Sequence, residues 1–186
     1  DYWHLKEHVQ IWDVSCQRQV EISGPDAATL VQWMTPRNIS KAKIGECLYI
    51  PILDDQAGLI NDPVLLKLAE DRFWLSIADS DVLLYAKGLA LGRGLDVIVQ
   101  EPDVYPLAIQ GPRAESLMAE VFGADIQKIG FFKFGWIDIF GTRQLIARSG
   151  YSRQGGFEIY LKGASLGGPL WDKIWQAGQC YDISPG

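Results

Sequence analysis

Apolar and polar positions follow two different spacings along the chain, one typical of strands and one of helices. Val20 and Ile22 alternate with polar residues, which is the two-residue period of a strand with one buried face. Leu5, Val9 and Trp12 recur at helical spacing, so we expect the first dozen residues to end an amphipathic helix. Further strands are predicted at 47–53, 59–68, 72–77, 96–100, 105–109, 136–140, 144–149 and 157–161. Further helices are predicted at 25–34, 81–91, 112–122 and 169–177.

Turns with glycine or proline join several of these strands directly. The turn at 54–58 ends in a glycine and predicts a hairpin, and Gly141 marks a second one. Pro63 lies inside the strand that follows the first turn, and because proline has no N–H to donate, we expect the pairing to be interrupted there. Strands paired as hairpins, with helices interspersed, predict an α+β fold with mainly antiparallel sheets.

The length of the chain, 186 residues, suits one domain of ordinary size or two small ones. Strand and helix content is similar before and after about residue 111, so two subdomains dividing near that point are one interpretation. The sequence opens inside a structured segment and stops at Pro185-Gly186 without a closing element. We therefore expect it to be a fragment of a longer protein.

Charge and composition exclude several classes of partner. The formal net charge is −6 and no cluster of Lys and Arg is present, whereas nucleic acid requires a basic surface. No apolar run approaches the roughly 18 residues of a membrane span, and the first residues lack a signal-peptide pattern. Cys16, Cys47 and Cys180 are odd in number and far apart, which is typical of a reducing compartment. We therefore expect a cytoplasmic protein that binds neither nucleic acid nor membrane.

Several short motifs suggest chemistry that their surroundings do not support. His4 and His8 form an H-x-x-E-H pattern that could place two histidines against zinc, but no third ligand can be identified. We expect a solvated helix face there and no metal site. The glycine-rich segments 88–94 and 150–156 lack the spacing of a phosphate-binding loop. A serine triad would have to use His4 or His8 at the start of the sequence, so we expect no serine nucleophile. Residues 110–113 are expected to be a structural strand-to-helix turn.

Two carboxylates remain as candidates for a functional role. Asp62 follows a glycine turn and an apolar run, where a carboxylate needs a partner or a raised pKa. It is either a turn aspartate or a group that holds or relays a proton in a pocket. Glu158 follows a flexible loop and stands beside aromatic residues. It is either an exposed hairpin glutamate or, together with those rings, a binder of a heteroaromatic ligand with an amide-and-amine edge.

Taken together, these segments resemble the T-protein family, the tetrahydrofolate-dependent aminomethyltransferases of glycine cleavage and their demethylase relatives. Each matching segment is short, but they run in the family's order and cover nearly the whole chain. The matching segments are 12–15, 22–27, 58–62, 110–112, 148–151 and 156–158.

The resemblance implies a three-domain enzyme of which this chain is the folate-binding core, without the extreme N-terminus or the C-terminal barrel. Asp62 matches the family's catalytic aspartate near the folate N5, and Glu158 matches the glutamate that holds the pterin. Tyr49 and Tyr151 match tyrosines that line the pocket. Tetrahydrofolate is the implied cofactor, and a small-molecule methyl or aminomethyl donor is the implied substrate.

Some residues depart from the glycine-cleavage pattern and change the expected donor. Cys16 and Gln17 stand where glycine-cleavage members usually have His and Met, Asn61 stands where they have Asp, and Ala78 where they have Asn. This chain resembles the dimethylsulfoniopropionate demethylase branch instead at 18–22, 61–64, 78–81 and 152–156. The resemblance thus implies tetrahydrofolate-dependent demethylation of a small sulfonium such as dimethylsulfoniopropionate.

In the demethylase interpretation, Asp62 would stabilise positive charge developing on the folate N5 or relay its proton. Trp12, Trp74 and Trp136 are candidates for cation–π contact with the sulfonium. Two alternatives remain open. Glycine-cleavage aminomethyl transfer would require a lipoyl carrier protein as partner, and a folate-binding relative without catalysis would require no donor.

Overall fold

The computed structural model describes residues 1–77 and 80–186, so that Ala78 and Asp79 of the segment 78–81 lie outside the described residues. The strands are β1 (Val9–Asp13), β2 (Gln19–Ser23), β3 (Cys47–Tyr49), β4 (Ile52–Leu53), β5 (Leu59–Asn61), β6 (Val64–Ala69), β7 (Arg72–Ser76), β8 (Ile98–Gln100), β9 (Val104–Gln110), β10 (Phe134–Ile139), β11 (Thr142–Ala147), β12 (Gly156–Lys162) and β13 (Ile183–Pro185). The α-helices are α1 (Tyr2–Glu7), α2 (Ala27–Met34), α3 (Val82–Arg93), α4 (Ala114–Phe122) and α5 (Gly167–Gly178). Short 3₁₀ segments lie at Ala124–Lys128, Ala164–Leu166 and Gln179–Tyr181.

The described residues divide into two compact units that are not contiguous halves of the sequence. The first unit contains Asp1–Cys16 and Asp103–Gly186, and the second contains Gln17–Pro102. The chain passes from one unit to the other twice, and neither passage lies near residue 111, where the sequence suggested a division. The reason is that β9, which ends at Gln110, pairs with both β1 and β12 and is thereby tied to the first unit.

Within the described residues, the first unit is built on a six-stranded sheet in the order β10-β11-β12-β9-β1-β13. Its neighbours are antiparallel except β1 and β13, which run parallel. One face packs against apolar residues of α4 and α5, and Phe157 and Ile159 of β12 contribute to that core. Because successive side chains of a strand alternate, Glu158 lies on the opposite face, which we call the non-core face of this unit.

The second unit has a five-stranded antiparallel sheet in the order β3-β6-β7-β2-β8, as far as its residues are described. Val20 and Ile22 of β2 share a core with α2 and α3. Glu21, between them, therefore lies on the non-core face of this sheet, opposite Trp74 of β7. A separate two-stranded ribbon is formed by β4 and β5. The predicted α+β class with mainly antiparallel sheets is confirmed.

The hairpin of β10 and β11 follows directly from its turn sequence. Phe140 and Gly141 have φ values of 51° and 74°, so both central turn residues are left-handed. This is the two-residue geometry that matches the natural twist of paired strands, and glycine adopts it without strain. The hairpin predicted at 136–149 is confirmed, with bounds shifted by about two residues toward the N-terminus.

The first dozen residues differ from their prediction. The helix α1 ends at Glu7 and buries none of its residues, whereas Val9 and Trp12 belong to the strand β1. Val9 and Ile11 are fully buried at the two-residue spacing of a strand. The prediction of a helix through Trp12 was wrong, because pairing of β1 with β9 and β13 outweighed a weak local helical pattern.

Among the helices of the described residues, none has the length and apolar character needed to span a lipid bilayer.

Candidate functional site

Asp62 lies at a break between two strands of the second unit. The strand β5 ends at Asn61 and β6 begins at Val64, so the interruption predicted at Pro63 is confirmed. Proline has no N–H for the ladder, but the carbonyl oxygen of Pro63 still accepts the N–H of Ile50 at 3.0 Å. Asp62 is therefore held at a fixed strand end.

The turn that precedes this strand is held by its own aspartate. Asp54 Oδ1 accepts the backbone N–H groups of Gln56 at 2.9 Å and Gly58 at 2.7 Å. An aspartate that bonds the backbone of its own turn in this way is a common turn-forming device. A Cβ at Gly58 would come within 2.6 Å of Asp54 Oδ2, so a side chain at this position would displace the carboxylate that holds the turn.

Tyr49 is the described hydrogen-bond partner of the Asp62 side chain. Tyr49 is the last residue of β3 and pairs with Val64, which brings its hydroxyl to Asp62 Oδ2 in a short hydrogen bond. Arg37 Nη1 donates to the carbonyl oxygen of Tyr49 at 2.6 Å. Tyr49 is 47% exposed, so a ligand could reach the pair. The structure thus brings together two of the predicted site residues.

Glu158 occupies the non-core face of the first unit, between Ala147 and Ala108 on the neighbouring strands. Ser149 Oγ donates a short hydrogen bond to Glu158 Oε2, and the Tyr160 hydroxyl lies 3.5 Å from the same oxygen. Desolvation by burial raises the pKa of Glu158 above its ordinary value, and the two hydroxyl groups lower it only in part. The neutral acid is therefore favoured more strongly here than in water.

Tyr151 lies on the loop between β11 and β12 and is 96% exposed. The loop contains Gly150, Arg153 and Gly155 at positive φ values of 151°, 58° and 80°. The described contacts do not join Tyr151 to Glu158, which lies on the strand that follows. Asp62 and Tyr49 belong to the other unit. A pocket role for these four residues stays a prediction.

Gln110 is a residue whose role the sequence interpretation missed, since it expected 110–113 to be only a turn. Its side chain is 4% exposed, and its amide bonds to both ends and to the middle of the loop that carries Tyr151. The sequence carries no local signal for this role, because the loop lies about 40 residues further along the chain.

The suggested cation–π contact between Trp74 and a sulfonium is wrong. Trp74 is fully buried, and its indole N–H donates to Glu21 Oε2 at 2.7 Å. Arg72 and Gln100 also donate to the Glu21 carboxylate. Trp74 is therefore a donor in a buried polar cluster and has no exposed ring face for a sulfonium. The roles suggested for Trp12 and Trp136 stay predictions.

The two histidines have polar partners close to the chain ends. His4 Nδ1 lies 3.1 Å from Ser184 Oγ, and His8 Nδ1 lies 3.3 Å from Asp182 Oδ2. Within residues 1–77 and 80–186, no group of three or more His, Cys, Asp or Glu side chains is arranged to hold a metal ion.

The family model and the most similar proteins found by comparison point to the same family. The family model described as the GCVT N-terminal domain matches residues 1–186. The chain is 50% identical to the dimethylsulfoniopropionate demethylase DmdA of Ruegeria pomeroyi, over 100% of this chain and 51% of the relative. It is 30% identical to a probable aminomethyltransferase of Pyrococcus horikoshii, over 97% of this chain and 51% of the relative. The chain spans about half the length of the curated relatives it matches.

A solved structure agrees with the fold. The glycine cleavage system aminomethyltransferase T from Bartonella henselae superposes with a TM-score of 0.86 at 26% identity. The match covers 99% of this chain and 49% of that structure.

Proposed function

The chain belongs to the family of the GCVT N-terminal domain, and from that premise we propose that its protein is a tetrahydrofolate-dependent methyltransferase. The proposed donor is a small sulfonium such as dimethylsulfoniopropionate. The observation that carries this choice is the 50% identity to a demethylase of that compound along the whole chain. Identity to the probable aminomethyltransferase of Pyrococcus horikoshii is only 30%, which is weaker support for an aminomethyl donor.

Tetrahydrofolate would supply the amine nitrogen that accepts the methyl group. Glu158 suits the pterin part of such a ligand, because a partly buried carboxylate whose described donors are neutral hydroxyl groups gains from further N–H donors. The amide-and-amine edge of a pterin presents such donors. Tyr151 offers an exposed ring on which a heteroaromatic ligand can stack. We assign both residues to cofactor binding.

Asp62 is assigned to the transfer step, with Tyr49 as its positioning residue. A sulfonium methyl is already activated, because the C–S bond breaks with its electron pair going to sulfur and the leaving group is a neutral thioether. Little acid catalysis is then required, and the contribution of the protein is orientation and removal of one proton. The Asp62 carboxylate would take the proton lost from the acceptor amine. The Tyr49 hydroxyl binds Oδ2 and fixes the orientation of that carboxylate.

The role of Asp62 is tested by Asp62→Asn in the full-length protein. The amide keeps the shape of the side chain but accepts a proton poorly, so kcat for methyl transfer should fall by about 10²- to 10⁴-fold. The dissociation constant for 5-methyltetrahydrofolate should stay within about threefold, because that binding is assigned to other residues. The matched control is Asp55→Asn in the exposed turn of the same hairpin, which should keep wild-type kinetics. Wild-type kcat in Asp62→Asn would contradict the assignment.

The donor is tested by product analysis with tetrahydrofolate and two candidate donors. Methylated folate and a thioether formed from dimethylsulfoniopropionate are the expected products. Turnover only with an aminomethyl-loaded lipoyl carrier protein would replace the proposal by glycine-cleavage chemistry. Folate binding without turnover of either donor would indicate a non-catalytic relative.

A further inference from the structure

We propose that Gln110 is a positioning residue, whose buried amide holds the loop of Tyr151 and the hydroxyl group that contacts Glu158. The inference rests on the proposed function, because that function gives Glu158 its ligand. Gln110 lies on a different strand, β9, and joins the residues that orient the Glu158 carboxylate.

The amide of Gln110 uses both of its ends on one loop. Its Nε2 donates to the carbonyl oxygen of Ser149 at 3.1 Å and to that of Phe157 at 3.4 Å, on the two sides of the loop. Its Oε1 accepts the hydroxyl of Ser152 at 2.7 Å, in the middle of the loop. One buried side chain thus connects the start, the middle and the end of the segment that carries Tyr151.

Two glycines allow this approach. A Cβ at Gly150 would lie 2.1 Å from Gln110 Oε1, and a Cβ at Gly156 would lie 2.8 Å from Gln110 Nε2 and 2.2 Å from the Ile109 carbonyl oxygen. Both glycines also have positive φ, 151° and 140°. The loop backbone therefore passes so close to the Gln110 amide that side chains are excluded at these positions.

The connection to Glu158 runs through Ser149. Gln110 binds the carbonyl oxygen of Ser149, and the hydroxyl of the same residue donates to Glu158 Oε2. The backbone adds a second tie, because the N–H of Gly111 donates to the carbonyl oxygen of Gly155 at 3.0 Å. Displacement of Ser149 would remove the stronger of the two hydroxyl groups that oppose the rise in the Glu158 pKa. The ionised form that accepts N–H donors would then require a higher pH.

The test compares Gln110→Met with Gln144→Met in the full-length protein. Methionine has a similar length but cannot make the amide hydrogen bonds. Gln144 is a matched control, because it is also buried in the first unit and binds Lys162 through both ends of its amide, at 3.2 Å and 2.7 Å, away from the loop. Both substitutions should lower thermal stability, so a loss of stability alone would not distinguish them.

The first readout needs no folate. Hydrogen exchange of the backbone amides of residues 150–156 should be about tenfold faster in Gln110→Met, as expected for the loss of roughly one hydrogen bond. It should be unchanged in Gln144→Met. If Gln110→Met does not fold, Ser152→Ala removes one of the three bonds and should accelerate the same amides by a smaller factor. Unchanged exchange in the folded variants would overturn the proposal.

The second readout is the pH dependence of 5-methyltetrahydrofolate binding. Its midpoint should move to higher pH in Gln110→Met and stay in place in Gln144→Met. Faster loop exchange with an unmoved midpoint would overturn the connection to Glu158. A wild-type protein that binds no folate would instead refute the proposed function, while the exchange experiment would still decide the role of the amide.

Discussion

Glu21 in the second unit and Glu158 in the first hold comparable positions and have opposite acid–base properties. Each is the polar residue between two core residues of a strand, and each lies on the non-core face of its sheet. Burial favours the neutral acid in both. The pKa of Glu21 is nevertheless lowered, whereas the pKa of Glu158 is raised.

The difference lies in the donors that each carboxylate receives. Desolvation raises the pKa of Glu21, but hydrogen bonds from Trp74, Arg72 and Gln100 and the charge of Arg72 together outweigh it. Glu158 receives hydroxyl groups from Ser149 and Tyr160, and no cation is among the causes of its pKa shift. A buried carboxylate satisfied by several donors is structural, whereas one with few donors is poised to bind a ligand that brings them.

Among the variants that test this difference, Glu21→Gln should have the largest effect on the free energy of unfolding. The neutral side chain would leave Arg72 without its counter-ion, and breaking a buried pair costs about 3 kcal/mol. Because Arg72 is 44% exposed, we expect about 2 kcal/mol, measured by urea unfolding. Glu101→Gln, at an exposed pair with Arg18, is the control and should change the free energy of unfolding by less than about 0.5 kcal/mol. Equal effects of the two variants would contradict the structural role.

Glu158→Gln should have a smaller effect on stability and of the opposite sign. Folding raises the pKa of the Glu158 carboxyl group. Such a group stabilises the fold at pH values below its pKa in the unfolded state, and that contribution is lost as pH rises through its pKa in the folded state. The variant should therefore unfold at higher urea concentration than the wild type at pH 7. The gain should disappear below the ordinary pKa of 4.5. A variant less stable than the wild type at pH 7 would contradict the pKa direction.

Acidification should remove the stabilisation that Glu21 contributes to the fold. Its lowered pKa means that the stabilisation is present above the unfolded value of 4.5 and is lost as pH falls through the folded pKa. The difference between wild type and Glu21→Gln should therefore shrink on acidification, in urea unfolding series from pH 7 downward. A difference that stays constant to pH 2 would show that the carboxylate charge is not the cause.

The smallest effect is expected at Tyr160, whose hydroxyl lies 3.5 Å from Glu158 Oε2. Tyr160→Phe should move the pH midpoint of folate binding upward by less than Ser149→Ala does, because Ser149 opposes the rise in the Glu158 pKa more strongly. The two midpoints are compared in the same titration series. A larger shift in Tyr160→Phe would reverse this order.

Local features were predicted well from the sequence because their causes are local. The turn at Gly141 and the break at Pro63 follow from backbone preferences of single residues, and both are confirmed. The N-terminal strand was missed because its conformation depends on pairing with Val104–Gln110 and Ile183–Pro185, far along the chain. No local pattern reports such pairing.

The site residues were named by family resemblance, and their roles stay predictions. Family resemblance named Asp62 and Tyr49, which the structure joins by a hydrogen bond. The burial of Trp74 could not be predicted, because its partner Glu21 is 53 residues away in sequence. The amide of Gln110 likewise acts on a loop about 40 residues further along the chain, so its role becomes visible only when the strands are paired.

The most direct test of the account is calorimetric titration of the full-length protein with 5-methyltetrahydrofolate, in wild type, Glu158→Gln and Glu21→Gln. Loss of a charged acceptor for the pterin should weaken binding by about tenfold or more in Glu158→Gln. Glu21→Gln should bind like the wild type at a temperature where both are folded, despite its lower stability. Wild-type affinity in Glu158→Gln, or an equal loss in both variants, would contradict the claim that Glu158 holds the cofactor.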